Sequence, residues 1–311
     1  MSYTKSYPLV TAFTLIYNTG DYVIEALNSI KANNYPKLEH IIVDDCSTDE
    51  RSIQLVEKWI IENNYSCTFI KHETNKGVCS TLNEILSIAK GKYIFGCSDD
   101  IIMPERLFKQ IEMLEASDDD VCAVYSKAYI IRDNKIRYDY LMGGCSEEFP
   151  PQGYVLDRLI DYNFMPAITV MVKTKCLHQM GGYDEYFAYE DYPMWLKLAE
   201  KYKFIYSEYV SGIYRYWDNS ISSTIENWEL THLNMFLRLK NPSRNSIKKK
   251  VIDIGITAYK KKDVQLLQFI NANKNKFQVK VAGWFWLLHK FRIPVFVGLR
   301  MIRIAQKIHR Q

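Results

Sequence analysis

Three stretches of this sequence gather carboxylates where a folded chain would not place them without a reason. HIIVDDCSTDE, residues 40–50, runs the β-branched Ile41, Ile42 and Val43 straight into Asp44 and Asp45. KYIFGCSDD, residues 92–100, ends in Asp99 and Asp100, and GGYDEYFAYEDYPMWLKL sets Glu190 and Asp191 among tyrosines. Like charges repel, and desolvating them is costly. Adjacent aspartates after a strand suit a hard divalent cation, which takes one or two protein carboxylates and completes its shell with phosphate oxygens and water. They equally suit the N-terminus of the next helix, here MPERL. Asp45 could accept hydrogen bonds from a base or ribose, or cap a helix. In TLIYNTGDY, residues 14–22, Tyr17 stands where it could stack on a flat ligand or simply rim the core. A carboxylate in an aromatic setting can serve as a general base, which gives Glu190 and Asp191 a second reading beside helix capping.

The elements that would position these residues alternate. PLVTAFTLIY (8–17), LEHIIVDD, CTFIKH (67–72) and KYIFGCSDD read as strands. Between them lie helical spacings at 20–33, 47–64 and 77–91, with a further one at 103–117. Asp21 lies near the start of the first, Ser47, Thr48 or Asp49 could cap the second, Gly91 closes the third and Pro104 falls in the first turn of the fourth. Such alternation implies a mostly parallel sheet covered on both faces, with ligands at the carboxyl ends of the strands where strand order reverses. The acids ending the second and fourth strands then meet at one cleft. Residues 121–142 read as strands around a turn at Asp133–Asn134, and 143–153 as a Gly- and Pro-rich loop. Residues 168–204 give a strand, a short helix, a glycine turn and a longer helix from about Glu190. From Trp228 onward the pattern is mainly helical.

Bulk composition is globular: 311 residues, 48% hydrophobic, 24% charged. The seven cysteines include no C-x-x-C pair, which suggests neither a disulfide framework nor a zinc site and fits a reducing, cytoplasmic setting. The N-terminus lacks a signal-peptide pattern, and no apolar run is long enough to span a bilayer. The net charge of +4 conceals an asymmetry: residues 229–311 hold 18 Lys+Arg against 3 Asp+Glu, leaving 22 against 33 in residues 1–228. The division expected is 1–225 and a basic helical region, 226–311.

Taken in order, TLIYNTGDY, HIIVDDCSTD, NKGVCSTLNEIL, FGCSDDIIMPERL, GGYDEYFAYEDYPMW and YRYWDNSIS resemble the large family 2 of inverting glycosyltransferases, over about Pro8 to Ser223. The resemblance implies a GT-A fold: a Rossmann-like α/β domain with a mostly parallel central sheet and helices on both faces, here followed by a C-terminal helical extension. It implies transfer of a sugar from a nucleoside-diphosphate sugar, usually a uridine one, to a hydroxyl of a saccharide or lipid-linked acceptor in surface-polysaccharide synthesis. By the family pattern Leu15, Tyr17 and Asp45 lie at the base, and Asn75, Lys76, Gly77 and Asn83 line the nucleotide pocket; with Cys97 in place of the first D-x-D aspartate, ribose contacts would fall to Ser98 or Asp100. Asp99 would bind Mn²⁺ or Mg²⁺, Arg215 would help neutralise the diphosphate, and Asp191 would be the catalytic base. Four departures stand out. Cys97 replaces the first aspartate of D-x-D, Cys46 stands where glycine is usual, Leu15-Ile16 replace Pro-Thr, and Trp217 occupies a position often held by histidine. They leave open a non-catalytic sugar-nucleotide-binding or scaffold role on the same fold.

The basic region adds an expectation of its own. Residues 281–310 mix Trp284, Phe285 and Trp286 with Arg292, Arg300, Arg303 and Lys307, and Pro294 should break any helix there. This suits peripheral contact with an anionic membrane on its cytoplasmic face, or packing on protein, with oligomerisation left open. No nucleic-acid module is evident, so no nucleic-acid partner is expected.

Overall fold

The computed structural model describes residues 6–132, 135–142, 150–216 and 227–308. The turn at Asp133–Asn134, the loop 143–149 with Cys145, and residues 217–226 with Trp217 lie outside the described residues. The chain forms two compact units, one of Met1–Leu159 with Asn163–Ser220, the other of Ile160–Tyr162 with Ile221–Gln311.

The first unit opens with the expected alternation: β1 (Val10–Ile16), α1 (Tyr22–Ala32), β2 (Leu38–Asp44), α2 (Glu50–Glu62), β3 (Thr68–Lys71), α3 (Val78–Ile88) and β4 (Tyr93–Gly96). Then come β5 (Ile101–Ile102), α4 (Arg106–Glu115), β6 (Val121–Tyr125), β7 (Ala128–Arg132), β8 (Lys135–Met142) and α5 (Leu156–Asp161). β9 (Met171–Lys173), α6 (Thr174–Gln179), α7 (Asp191–Ala199), β10 (Lys203–Tyr206) and β11 (Gly212–Arg215) complete it.

Seven strands form the main sheet in the order β10-β6-β9-β4-β1-β2-β3, parallel except where β9 runs against β4 and β6. Strand order runs outward from β1 through β2 to β3, then jumps to the other side of β1 for β4. That reversal leaves a crevice at the carboxyl ends of β1 and β4. A second sheet, β5-β11-β7-β8, carries β11. β1 and β2 are apolar along most of their length because both faces are covered.

Local chemistry sets the element ends. Asp49 caps α2 by accepting from the Arg51 N–H at 2.9 Å. Asp21 does not cap α1; its carboxylate pairs with Arg51 at 2.6 Å. α3 ends without a glycine cap, at an extended Ala89. Gly91 serves a different purpose: a Cβ there would lie 2.3 Å from the Thr11 backbone nitrogen and 2.7 Å from the Tyr93 oxygen. It lets β4 begin close against β1. Pro104 stands just outside α4, which starts at Arg106.

One buried group couples this core to pH. His40 of β2 lies between Thr14 Oγ1, at 3.0 Å from Nε2, and Tyr65 Oη, at 3.1 Å from Nδ1. Burial lowers its pKa from 6.5 to about 3. Below pH 6.5 the unfolded chain takes up a proton that the folded one refuses, so this group costs stability as pH falls. By proton linkage the loss grows to a few kcal/mol, on the order of 3, by about pH 4.5. Urea unfolding at the two pH values should show it, and His40→Gln should remove that share of the pH dependence.

The second unit is helical: α8 (Trp228–Arg238), α9 (Asn245–Lys261), α10 (Val264–Phe277), α11 (Ala282–Lys290) and α12 (Val295–Ile308). Asn227 and Asp263 cap α8 and α10 through the N–H groups of Leu230 and Leu266. Phe285 packs where a Cβ on Gly255 would come within 2.4 Å of its ring. As the proline predicts, the helix breaks between Lys290 and Val295, and Pro294 supplies the carbonyl that receives the Gly298 N–H at 2.9 Å. Among the described residues no helix is long and apolar enough to cross a membrane.

Candidate active site

The loops following β1, β2 and β4 converge because their strands are neighbours in register. Ile16 of β1 pairs with Asp44 of β2, and Phe13 with Gly96 of β4. The Asp45 N–H then donates to Ile16 O at 2.9 Å, and Cys97 N–H to Phe13 O at 3.0 Å. Leu15 joins the junction through its N–H, which donates to Ser98 Oγ at 3.1 Å. Tyr17 projects from the end of β1 with 49% of its surface exposed, free to lie against a flat ligand.

Cys46 sits at φ +62°, the left-handed region where a side chain is strained. That is the physical reason a glycine would be usual there. Asp44 turns back on the same loop, accepting from the Ser47 N–H at 3.1 Å and the Ser47 hydroxyl at 2.5 Å. The Ser47 hydroxyl in turn accepts from the Asn18 N–H at 3.0 Å.

Asp45 is the hub of the next loop. Its Oδ1 accepts from the Lys76 N–H at 2.9 Å and lies 2.8 Å from His72 Nδ1, while Oδ2 accepts from the Gly77 N–H at 2.9 Å. Asn75 Nδ2 donates to Asp45 O at 3.1 Å. Burial pushes the Asp45 carboxyl upward, but the bonds from His72, Lys76 and Gly77 outweigh it and hold it below its usual value. His72 Nε2 reaches Glu84 at 3.1 Å, and Lys76 Nζ donates to the same carboxylate at 2.6 Å. Asp45 therefore fixes the Asn75–Gly77 loop, with 3% of its surface exposed. His72 escaped the sequence reading. Its signal was its place directly after β3, level with Asp45, since its N–H donates to Asp44 O at 2.9 Å.

Asp99 and Asp100 follow β4 and precede β5, so they do not cap α4. Arg215, at the end of β11, braces them. Its N–H donates to Asp100 Oδ1 at 2.6 Å, its Nε to Asp99 O at 2.8 Å, and its Nη2 to Glu25 at 2.7 Å. The guanidinium lies 4.2 Å above the Tyr22 ring and is only 5% exposed. Burial and the neighbouring Asp99 push the Asp100 carboxyl well above its usual range. The Cys97 thiol donates to Asp100 O at 3.3 Å, so the residue in place of the D-x-D aspartate is turned inward.

Glu190 and Asp191 open α7. Asp191 Oδ2 accepts from Asn163 Nδ2 at 3.5 Å, and burial raises its pKa. Burial first, then the charges of Asp191 and Asp99, lift Glu190 to about 7. Tyr214, pushed up to about 12 by burial, also feels Asp100, Asp99 and Asp191. Acids from distant parts of the chain thus share one site. Asn83 stands to one side: its amide donates to Tyr183 O at 3.1 Å and to Glu185 at 2.9 Å, and accepts from the Tyr183 N–H at 2.8 Å. It ties α3 to the segment leading into α7, across Gly182 at φ +71°, where a Cβ would strike Asn83 Oδ1 at 2.4 Å.

Among the described residues no group of three or more His, Cys, Asp and Glu side chains is arranged to hold a metal ion. The donor chemistry still fits a hard divalent cation. Asp99 raises two neighbouring carboxyls, and the buried arginine beside it is committed to Glu25 and a carbonyl. Such a site would rest on few protein oxygens and complete its shell from a ligand's phosphates and water.

A mostly parallel α/β sheet with acids at its switch point is the build of a ligand-binding α/β protein. Residues 11–175 match glycosyl transferase family 2, and the chain belongs to that family. It is 30% identical over 204 residues to an uncharacterized glycosyltransferase of Methanocaldococcus jannaschii, covering 63% of this chain and 67% of the relative. It is 29% identical over 221 residues to TuaG of Bacillus subtilis, named as a teichuronic acid biosynthesis glycosyltransferase, covering 70% and 82% of the two chains. The crystal structure of S. aureus TarS 1-349 in complex with UDP superposes with a TM-score of 0.62 at 20% identity, covering 97% of this chain and 92% of that one. A mannosyltransferase from Pyrobaculum calidifontis, solved with GDP-Man and Mn²⁺, gives 0.55 at 16% identity, covering 94% and 87%. The fold is GT-A, and the chain is a glycosyltransferase related to polysaccharide-biosynthesis enzymes.

Proposed function

We propose that this chain transfers a sugar from a nucleoside-diphosphate sugar, uridine-linked, to a hydroxyl of a saccharide or lipid-linked oligosaccharide, with inversion at the anomeric carbon. The observation that carries this reading is the convergence of Asp99 and the Glu190–Asp191 pair. Each bears on the ionisation of Glu190 or Tyr214 although they come from separate elements. In this reading Tyr17 stacks on the base, and Asp45 acts through the Asn75–Gly77 loop that it holds at the edge of the crevice. Leu15 and Ser98 lock the two strand ends together, and Asn83 keeps the segment before α7 in place. Asp100 and Arg215 fix the Asp99 turn.

Asp99 would hold Mn²⁺ or Mg²⁺, which when bound takes up charge on the departing diphosphate. Asp191 accepts the proton of the attacking hydroxyl on the opposite face of the sugar. Asn163 orients its carboxylate, and Glu190, lifted to about 7, carries only part of its charge near neutral pH. Asp99→Asn should weaken donor binding about tenfold in the presence of Mn²⁺ and hardly at all in its absence. Calorimetric titration reads both values.

The same titration with UDP, GDP and dTDP, each with and without Mn²⁺, tests the reading as a whole. Metal-enhanced binding of UDP above the other two is the expected result. Folded protein that binds none of the three would overturn it in favour of the scaffold role.

A further inference from the structure

The helices after residue 280 carry more apolar surface than their own packing uses. α11 buries Ala282, Phe285 and Leu288, and α12 buries Ile302 and Ala305. On other faces, Trp284, Leu287 and Phe291 follow one another at i, i+3 and i+7, and Phe291 is 69% exposed. On α12, Val297, Met301 and Ile304 lie at i, i+4 and i+7, and Phe296 is 77% exposed. Lys290, Arg292, Arg300 and Arg303 are exposed among them. Residues 264–311 contain nine Lys+Arg and no Asp or Glu.

At the junction of the two helices a cavity of about 570 Å³ is lined by Lys262, His289, Lys290 and Arg292 over Trp286 and Pro294. Lys262 and Arg292 hold left-handed backbone conformations, φ +57° and +51°, at the turns ending α9 and α11.

We propose that α11 and α12 are a docking surface for an anionic phospholipid bilayer, with the basic cavity at their junction seating a lipid phosphate headgroup. Large exposed aromatics and aliphatics enter the acyl boundary, while the surrounding cations meet the headgroups. Both signals contribute, because the binding of an interfacial helix grows with its buried apolar area plus its attraction to anionic lipids. Charge argues against a second copy of the chain, since two such faces would bring like-signed surfaces together. The apolar face argues against a purely electrostatic partner. The inference does not depend on the catalytic assignment, and its test reads no sugar transfer.

The test is flotation of the full chain with vesicles of phosphatidylcholine alone and of phosphatidylcholine with phosphatidylglycerol, at low and high salt. Two multiple variants accompany it: Arg292→Glu/Arg300→Glu/Arg303→Glu, and Trp284→Ser/Phe291→Ser/Phe296→Ser. All six positions are exposed, and circular dichroism checks that the fold is kept. The expected result is partition at least tenfold stronger to the anionic vesicles, falling at least tenfold in either variant and at high salt. Equal partition to both vesicle types, or variants that float like the parent, would overturn the proposal. So would binding of inorganic phosphate without flotation. Self-association that both variants abolish, again without flotation, would reassign the face to a dimer.

Discussion

Asp191→Asn should lower the turnover of sugar transfer by roughly a thousandfold, the range of a lost general base, with nucleotide affinity changed less than about threefold. The two readouts separate a proton-accepting role from a structural one. Asparagine keeps the shape, and its one amide oxygen can still accept from the Tyr192 N–H, which reaches Oδ1 of the carboxylate at 2.6 Å; the weaker 3.5 Å contact from Asn163 to Oδ2 is given up. What it loses is the capacity to take a proton. A second signature is the pKa of Glu190, lifted to about 7 first by burial and then by the Asp191 charge. Removing that charge should lower it, visible by carboxyl NMR. The parent's activity should fall as pH drops, because the base works only ionised and burial has moved its titration above the ordinary aspartate value. Near-normal turnover in Asp191→Asn would remove the assigned base.

Arg215→Ala should cost about 1–3 kcal/mol of stability, the range for leaving a buried hydrogen-bonding group unsatisfied, and should also weaken the response to Mn²⁺. Arg215 is nearly inaccessible, while its partner Glu25 is almost half exposed, so the pair itself is partly screened. Most of the loss should come from the unpaired Asp99 carbonyl and the vacated space over Tyr22. Arg215→Lys separates these contributions: it keeps a charge but not the guanidinium fork. Urea unfolding and the Mn²⁺ dependence of UDP binding give the two measurements. If Arg215 instead contacted diphosphate directly, as the family resemblance implies, both variants would lose nucleotide affinity without losing stability.

The contrast between those outcomes shows where sequence pattern was sufficient and where it was not. The strand–helix alternation, the parallel sheet and the helical C-terminal region were legible because hydrophobic periodicity depends on local spacing. The break at Pro294 was legible for a similar reason, since proline acts on its own backbone. Side-chain partnership is different. Asp21 was a plausible cap for α1, yet Arg51 of α2 claimed its carboxylate. Gly91 looked like a helix stop, and its need arises from Thr11 on a neighbouring strand.

The sequence by itself determined the fold class and which residue types could do chemistry, because carboxylates at strand ends announce themselves in any alternating pattern. Only the tertiary structure decided what each does with its oxygens. It gave Asp45 to the Asn75–Gly77 loop and His72, Arg215 to the Asp99 turn and Glu25, and Asn83 to the segment before α7. It also set Glu190 and Tyr214 where the charges of Asp99 and Asp191 raise both. The physical reason is distance. A hydrogen bond or a desolvated charge is fixed by atoms a few ångströms apart, and strand register brings those atoms together from parts of the chain that no local pattern connects.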